Sequence, residues 1–180
     1  ASLEQSPSTM IISCCDSRIH PTSIFEAVEG EFFIHRNIAN LVPPYSPEVE
    51  NHGTSASIEY AIKVLKIQHL IILGHKDCGG IKSGHTMHAS ASNPDYVFIN
   101  KWLSILLPAF NKIQKNVSEQ NQINQLEQES IKISINNLFS FPFIEKAVED
   151  KKLSIHALIH DIRSGNLQFL NPITKNFENF

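Results

Sequence analysis

A chain of 180 residues with 42% hydrophobic content holds enough apolar side chain for one core, so residues 1–180 read as a single domain with no linker. A formal charge of −3 with no basic run excludes an extended nucleic-acid face or an anionic-membrane surface, and no stretch reaches the roughly 18 apolar residues of a membrane span. Three cysteines, two of them adjacent, make a poor disulfide framework, which points to a reducing compartment, the cytoplasm by default.

In chain order, Thr9 to Cys14 contains the continuous apolar run Met10-Ile11-Ile12 and reads as a buried parallel strand. A helix should begin near Pro21, a residue suited to a first helical position, turn Ile24, Phe25 and Val28 inward, and end at Gly30. Glu31 to Arg36 is the second strand, and Asn40 to Pro44 a rigid loop. Thr54 or Ser55 can cap a helix in which Ile58, Ala61, Ile62 and Leu65 recur at helical spacing, leading to a third strand at His69 to Leu73. This βαβαβ order implies a parallel sheet with right-handed crossovers.

From Asp95 to about Leu138 the pattern is helical, with Trp102, Leu106 and Phe110 on one face. The Asn-, Gln- and Glu-rich stretch from Asn116 to Ser130 reads as a solvated connection between or along helices. Phe143 to Asp150 is a short helix, Leu153 to Asp161 a fourth strand, and Ser164-Gly165-Asn166 a hairpin turn into an edge strand. The expected fold is α/β, a central and mainly parallel sheet of four strands plus an antiparallel edge strand, flanked by helices.

Two segments carry chemistry, Cys14-Cys15-Asp16-Ser17-Arg18 and His75-Lys76-Asp77-Cys78-Gly79-Gly80. Both fall at the carboxyl ends of predicted strands, where open α/β sheets place their sites. Two thiolates and an imidazole suit Zn²⁺, and three protein ligands leave a fourth tetrahedral position for water or substrate, as in catalytic rather than structural sites. Taken singly, each cysteine could equally be a small buried hydrophobe. Asp16 and Arg18 lie on the same side of an extended segment and can form a fork-like pair, which is also what an ordinary surface ion pair would do. Cys15 points the other way and reads as a packed thiol. Three residues between Cys14 and Arg18 are too few for the C-x5-R anion loop of a phosphatase. His85 and His88 have metal-ligand spacing but no third donor nearby.

The stretches Cys14 to Pro21, Gly30 to Tyr45 and Gly53 to Ile81, and more loosely Phe141 to Leu170, resemble the β-class carbonic anhydrases, close to their plant-like subgroup. C-x-D-S-R, R-N-I-A-N and G-H-x-x-C-G-G occur in the family's order and at its separations. The resemblance implies one Zn²⁺ per chain on Cys14, His75 and Cys78, and reversible hydration of carbon dioxide to bicarbonate by zinc-bound hydroxide, with a preference for alkaline pH because two thiolates already cancel the metal's charge. It implies that Asp16, held by Arg18, orients the hydroxide. Gln5 stands where plant-like members place a substrate-binding glutamine, and Phe33, Ile38 and Tyr60 match pocket positions that the family assembles partly between subunits. Gly79, with Gly80, would bring backbone close to the metal. A homodimer or dimer of dimers follows, weakened by the absence here of the helices that usually precede the first strand. Arg36-Asn37 would support the loops. Val64 replaces a proposed histidine proton shuttle and Ala157 a frequent glycine, while Ile11 replaces the tryptophan of bicarbonate-switched members, which implies an open site with Asp16 off the metal. A carbon disulfide or carbonyl sulfide hydrolase of the same fold, and a catalytically silent zinc-bound scaffold protein, are the competing readings.

Overall fold

The apolar runs pair into a sheet whose centre is dry. The computed structural model describes residues 4–49 and 52–180. In it β1 (Thr9–Cys14), buried along its whole length, lies between β2 (Phe32–Asn37) and β3 (His69–His75), parallel to both. β4 (Ser154–His160) joins β3 in parallel, and β5 (Leu167–Leu170) and β6 (Phe177–Asn179) follow antiparallel, in the order β2-β1-β3-β4-β5-β6. The four parallel strands and the antiparallel β5 agree with the sequence reading, and β6 adds a sixth strand. Its turn is built by Asn171, whose Oδ1 accepts the backbone N–H groups of Ile173 and Thr174 at 2.8 and 3.2 Å.

Helix α1 (Pro21–Ile24) is short. Ile24 and Phe25 pack against Ile11 and Leu73 as expected, but Val28 is 67% exposed, because the chain leaves helical geometry at Phe25 before Val28 can turn inward. Helix α2 (Gly53–Glu59) runs on into a π turn at Tyr60–Val64. Neither expected cap forms: Thr54 Oγ1 meets His35 Nε2 at 2.9 Å and Ser55 Oγ meets His52 Nδ1 at 2.6 Å. Helix α3 (Gly79–Ala89) starts at the two glycines that close the second motif, in a stretch to which the sequence reading assigned no element. Helices α4 (Val97–Leu103) and α5 (Leu107–Phe110) are divided by a 3₁₀ turn just before Pro108, which has no N–H to continue the ladder.

The polar stretch expected to be solvated is mostly helix, α6 (Glu119–Leu138), and one of its faces is buried through Ile123, Leu126, Ile131 and Leu138. Its pattern misleads because the same face carries Glu127, Ser130 and Ser134, all buried and all hydrogen-bonded. Helix α7 (Pro142–Glu149) completes the set. Contact between α6 and β3 is close: a Cβ on Gly74 would lie 2.5 Å from Ile131 Cδ1. That approach brings Glu127 to the carboxyl end of β3.

Candidate metal centre

Cys14 ends β1, His75 ends β3, and Cys78 caps the start of α3, so three elements deliver one ligand each to the same end of the sheet. All three residues are buried, and their donor atoms lie within 4.8 Å of one another. The two sulfurs are 3.9 Å apart. Their closeness splits the thiols: contact with Cys78 pulls Cys14 down to about 4 against the cost of burial, while contact with Cys14 and burial push Cys78 well above the ordinary range. Backbone amides of Ile81 and Gly80, at the positive end of α3, act on Cys78 in the opposite sense and favour its thiolate.

His75 Nδ1 bonds to the Lys76 carbonyl at 2.9 Å, which assigns the ring proton to Nδ1 and leaves Nε2 as an acceptor facing the sulfurs. Burial works against a charged ring, but attraction to Cys14 and the Lys76 carbonyl outweighs it and raises His75 above its ordinary value. Nε2 is buried with no hydrogen-bond partner, an arrangement that costs about 1–3 kcal/mol unless something takes the lone pair. Two sulfurs and that lone pair are a donor set made for Zn²⁺. Among the described residues no other cluster of this kind occurs. His85 and His88 are used otherwise, bonding to Gln122 Oε1 and the Leu103 carbonyl.

Beside the ligands, Asp16 and Arg18 form the expected fork: Arg18 Nε donates to Oδ1 at 2.9 Å and Nη2 to Oδ2 at 2.7 Å, with the Arg18 backbone N–H also on Oδ1. The guanidinium holds the Asp16 carboxyl well below the usual carboxylate range. Asp16 Oδ2 is 3.9 Å from His75 Nε2, so the paired carboxylate faces the ligand atoms. Arg36 supports the segment from beneath, donating Nε to the Cys14 carbonyl at 2.9 Å and Nη2 to the Asp16 carbonyl at 2.8 Å. Asn37 braces the next loop by exchanging two bonds with Leu41, across the left-handed pair Ala39 and Asn40.

The expected pocket residues divide. Ile38 and Gly79 lie at the ligand end, Ile38 against Gly80 and Gly79 next to Cys78. Steric need falls on Gly80: a Cβ there would sit 2.9 Å from Ile38 Cγ2 and 3.2 Å from the Ala39 nitrogen, whereas one on Gly79 would meet nothing within 4 Å. Phe33 pairs with Met10 in the ladder, four positions short of the Asn37–Cys14 pair, and stacks on Tyr60 with ring centroids 5.8 Å apart. Gln5 precedes β1, beside Glu29, Gly30 and Phe32 at the opposite end of the strand from Cys14. Cys15, expected to be packed, is exposed, because the chain leaves the sheet at Cys14.

Sequence reasoning missed three partners of the second motif. Glu127 Oε1 accepts the Cys78 N–H at 3.0 Å, and burial pushes its carboxyl up to about 7. Arg163, on the β4–β5 turn, donates Nε to Asp77 Oδ2 at 2.8 Å, and Lys76 Nζ meets Asp161 Oδ2 at 3.0 Å, holding Asp161 down at about 2. These contacts span 49 to 86 positions, and no local pattern announces them.

A family model described as carbonic anhydrase matches residues 9–167. The chain is 36% identical to beta carbonic anhydrase 3 of Arabidopsis thaliana over 164 residues, covering 89% of itself and 63% of that relative's length. It is 32% identical to a carbonic anhydrase of Helicobacter pylori over 179 residues, covering 97% and 81%. Among solved structures, the β-carbonic anhydrase CcaA superposes with a TM-score of 0.86 at 26% identity, with 98% of this chain and 85% of that one covered. A tetrameric β-carbonic anhydrase from Sordaria macrospora gives 0.78 at 30% identity, with coverage of 93% and 82%. With the family pattern running from β1 to the start of β5 and the same fold recurring in solved members, the chain belongs to the β-class carbonic anhydrases.

Proposed function

We propose that this protein catalyses the reversible hydration of carbon dioxide to bicarbonate and a proton at the centre formed by Cys14, His75 and Cys78. The observation that carries the reading is the pairing of a three-donor set with a carboxylate that Arg18 keeps ionised and aimed at it. Zinc on these three residues would act as a Lewis acid, bringing the acidity of water at the site toward neutrality. The rest of the work falls to the chain. Asp16 Oδ2 accepts a hydrogen bond from the attacking water and turns its lone pair toward the carbon of the substrate. Arg18 occupies both carboxylate oxygens, which keeps Asp16 in this role and away from the metal, an open site. Burial of Cys14, His75 and Cys78 keeps bulk water from the ligand side.

Proton release has no titratable helper at Val64, which is exposed and apolar, so the proton passes to solvent or buffer. A homodimer or dimer of dimers is supported by the apolar surface beside the centre, where Ile38, Val49, Phe98, Ile99 and Trp102 line one groove and Phe98 is 83% exposed. Light scattering tests it, and a fully active monomer would refute the shared pocket. Among the described residues no helix is long and apolar enough to cross a membrane. With Cys14 and Cys78 given to zinc, Cys15 is left without a disulfide partner, which supports a reducing compartment such as the cytoplasm.

Stopped-flow carbon dioxide hydration with zinc content determined on the same sample tests the function. One zinc per chain with hydration well above the buffer rate is expected. A zinc-loaded protein without hydration would defeat the reading.

A further inference from the structure

One peptide unit joins the metal ligand Cys78 to the Asp16–Arg18 pair. Its carbonyl, on Asp77, accepts Arg18 Nη2 at 3.1 Å, the same nitrogen that holds Asp16 Oδ2. Its N–H, on Cys78, donates to Glu127 Oε1 at 3.0 Å. Asp77 has φ 57°, a left-handed conformation disfavoured for a residue with a Cβ. Relaxing it would rotate the peptide and carry both bonds away. Arg163 holds the Asp77 carboxylate with Nε at 2.8 Å and Nη2 at 3.3 Å, so the loop is gripped from α6, from the β1 side and from the β4–β5 turn.

We propose that Glu127 is a positioning residue for the metal centre: from the buried face of α6 it fixes the Asp77–Cys78 peptide, and through it the Cys78 sulfur and the Arg18 guanidinium, with Arg163 securing the other side of the loop. The inference rests on Cys78 being a zinc ligand and on Asp16 and Arg18 being the catalytic pair. Glu127 touches no substrate. It is 3% exposed, and its helix places it beside Ile123 and Leu126, where packing alone would be served by an apolar side chain. What a carboxyl adds at this place is an acceptor for the Cys78 N–H.

The test uses the full zinc-loaded chain and follows zinc release into excess chelator with a metal indicator, beside circular dichroism and hydration assays. Glu127→Met keeps the volume and removes the acceptor, whereas Glu127→Gln keeps an acceptor oxygen. The Met variant should release zinc at least about tenfold faster and lose hydration kcat per bound zinc, and Gln should return both toward wild type. Wild-type release from the Met variant overturns the proposal, as does a Gln variant as fast as the Met one. Should the Met variant not fold, Arg163→Ala decides, since that side chain is 81% exposed. Release about threefold faster, restored by Arg163→Lys, supports the proposal, and an unchanged rate overturns it. Zinc release is independent of turnover. Loss of hydration in every variant and in wild type would therefore sink the functional reading alone, whereas unchanged release with normal hydration would sink only the role of Glu127.

Discussion

The β1 wall of the metal centre meets solvent and is held by side-chain charge, whereas the β3 wall is dry and is held through its backbone. On the first, Asp16 and Arg18 are 14% and 50% exposed at their side chains and grip each other directly. On the second, His75 and Cys78 are each 2% exposed, and their positions depend on the Lys76 carbonyl, on Glu127 and on the start of α3. The division suits the chemistry. Thiolate and imidazole donors gain from exclusion of water, while a group that handles protons needs a route to it.

Damage to the three ligands, His75 and Cys78 on the dry wall and Cys14 at the buried root of the wet one, should be the more severe. Cys14→Ala, His75→Ala or Cys78→Ala leaves two protein donors, too few to retain zinc against chelator, and hydration should fall to the buffer rate. Metal analysis after dialysis measures the first outcome and stopped-flow the second. A Cys14→Ala protein that keeps one zinc per chain and near-normal turnover would show that the ligand set is wrong.

The wet wall should fail in a different way. Asp16→Asn retains a hydrogen-bonding group but loses the charge, so zinc should stay bound while kcat/KM drops by roughly 10²-fold or more. Arg18→Ala should also lower turnover, by freeing Asp16 to turn toward the metal. Kinetics and zinc content together separate the walls. If both variants kept wild-type kcat/KM, the pair would be merely structural.

The same contrast explains what could be read from the sequence. Cys14, Asp16 and Arg18 lie within five residues, His75 and Cys78 within four, and each group closes a strand announced by an apolar run. The pull of tertiary structure on the dry wall was hidden: Glu127 sits in a stretch whose polarity reads as solvated, because its buried face mixes Ile123 and Leu126 with hydrogen-bonded Glu127, Ser130 and Ser134. Arg163 and Asp77 are 86 positions apart and meet only because β4 pairs with β3. The turn into β6 was legible in principle, since Asn171-Pro172 is a turn signal. Thr54 shows the reverse case, a sound cap position whose hydroxyl is taken by His35 of the neighbouring strand, whereas Val28 and Ser55 fail locally, the first because the helix ends at Phe25 and the second because its hydroxyl meets His52.

A smaller effect should follow from crowding the start of α3 against the Ile38–Ala39 loop. Gly80→Ala places a methyl 3.0 Å from Ala39 Cβ and 3.2 Å from the Ala39 backbone nitrogen, atoms with little freedom to withdraw because Asn37 braces that loop. A loss of about 1–3 kcal/mol is expected by denaturant titration of the zinc-loaded protein. Gly79→Ala, with open space at its Cβ, should cost less. Equal costs at the two positions would mean that the Ile38–Ala39 loop is free to move.

The least effect of all should come from acid acting on the wet wall. Arg18 lowers the folded-state pKa of Asp16 below the value of about 3.9 that an unpaired aspartate has in the unfolded chain. The stabilisation from their pairing is therefore fully present above that unfolded value and is lost only as pH falls through the lower folded one. Between pH 5 and 8 the pair contributes no slope to stability, and any change in hydration rate across that window has to arise elsewhere. Carbon-13 NMR of the Asp16 carboxyl should show no titration above pH 4, and Arg18→Ala should move its midpoint up toward the ordinary value. A midpoint near 5 in the wild-type protein would mean that the fork does not hold in solution, and the catalytic orientation assigned to Asp16 would lose its support.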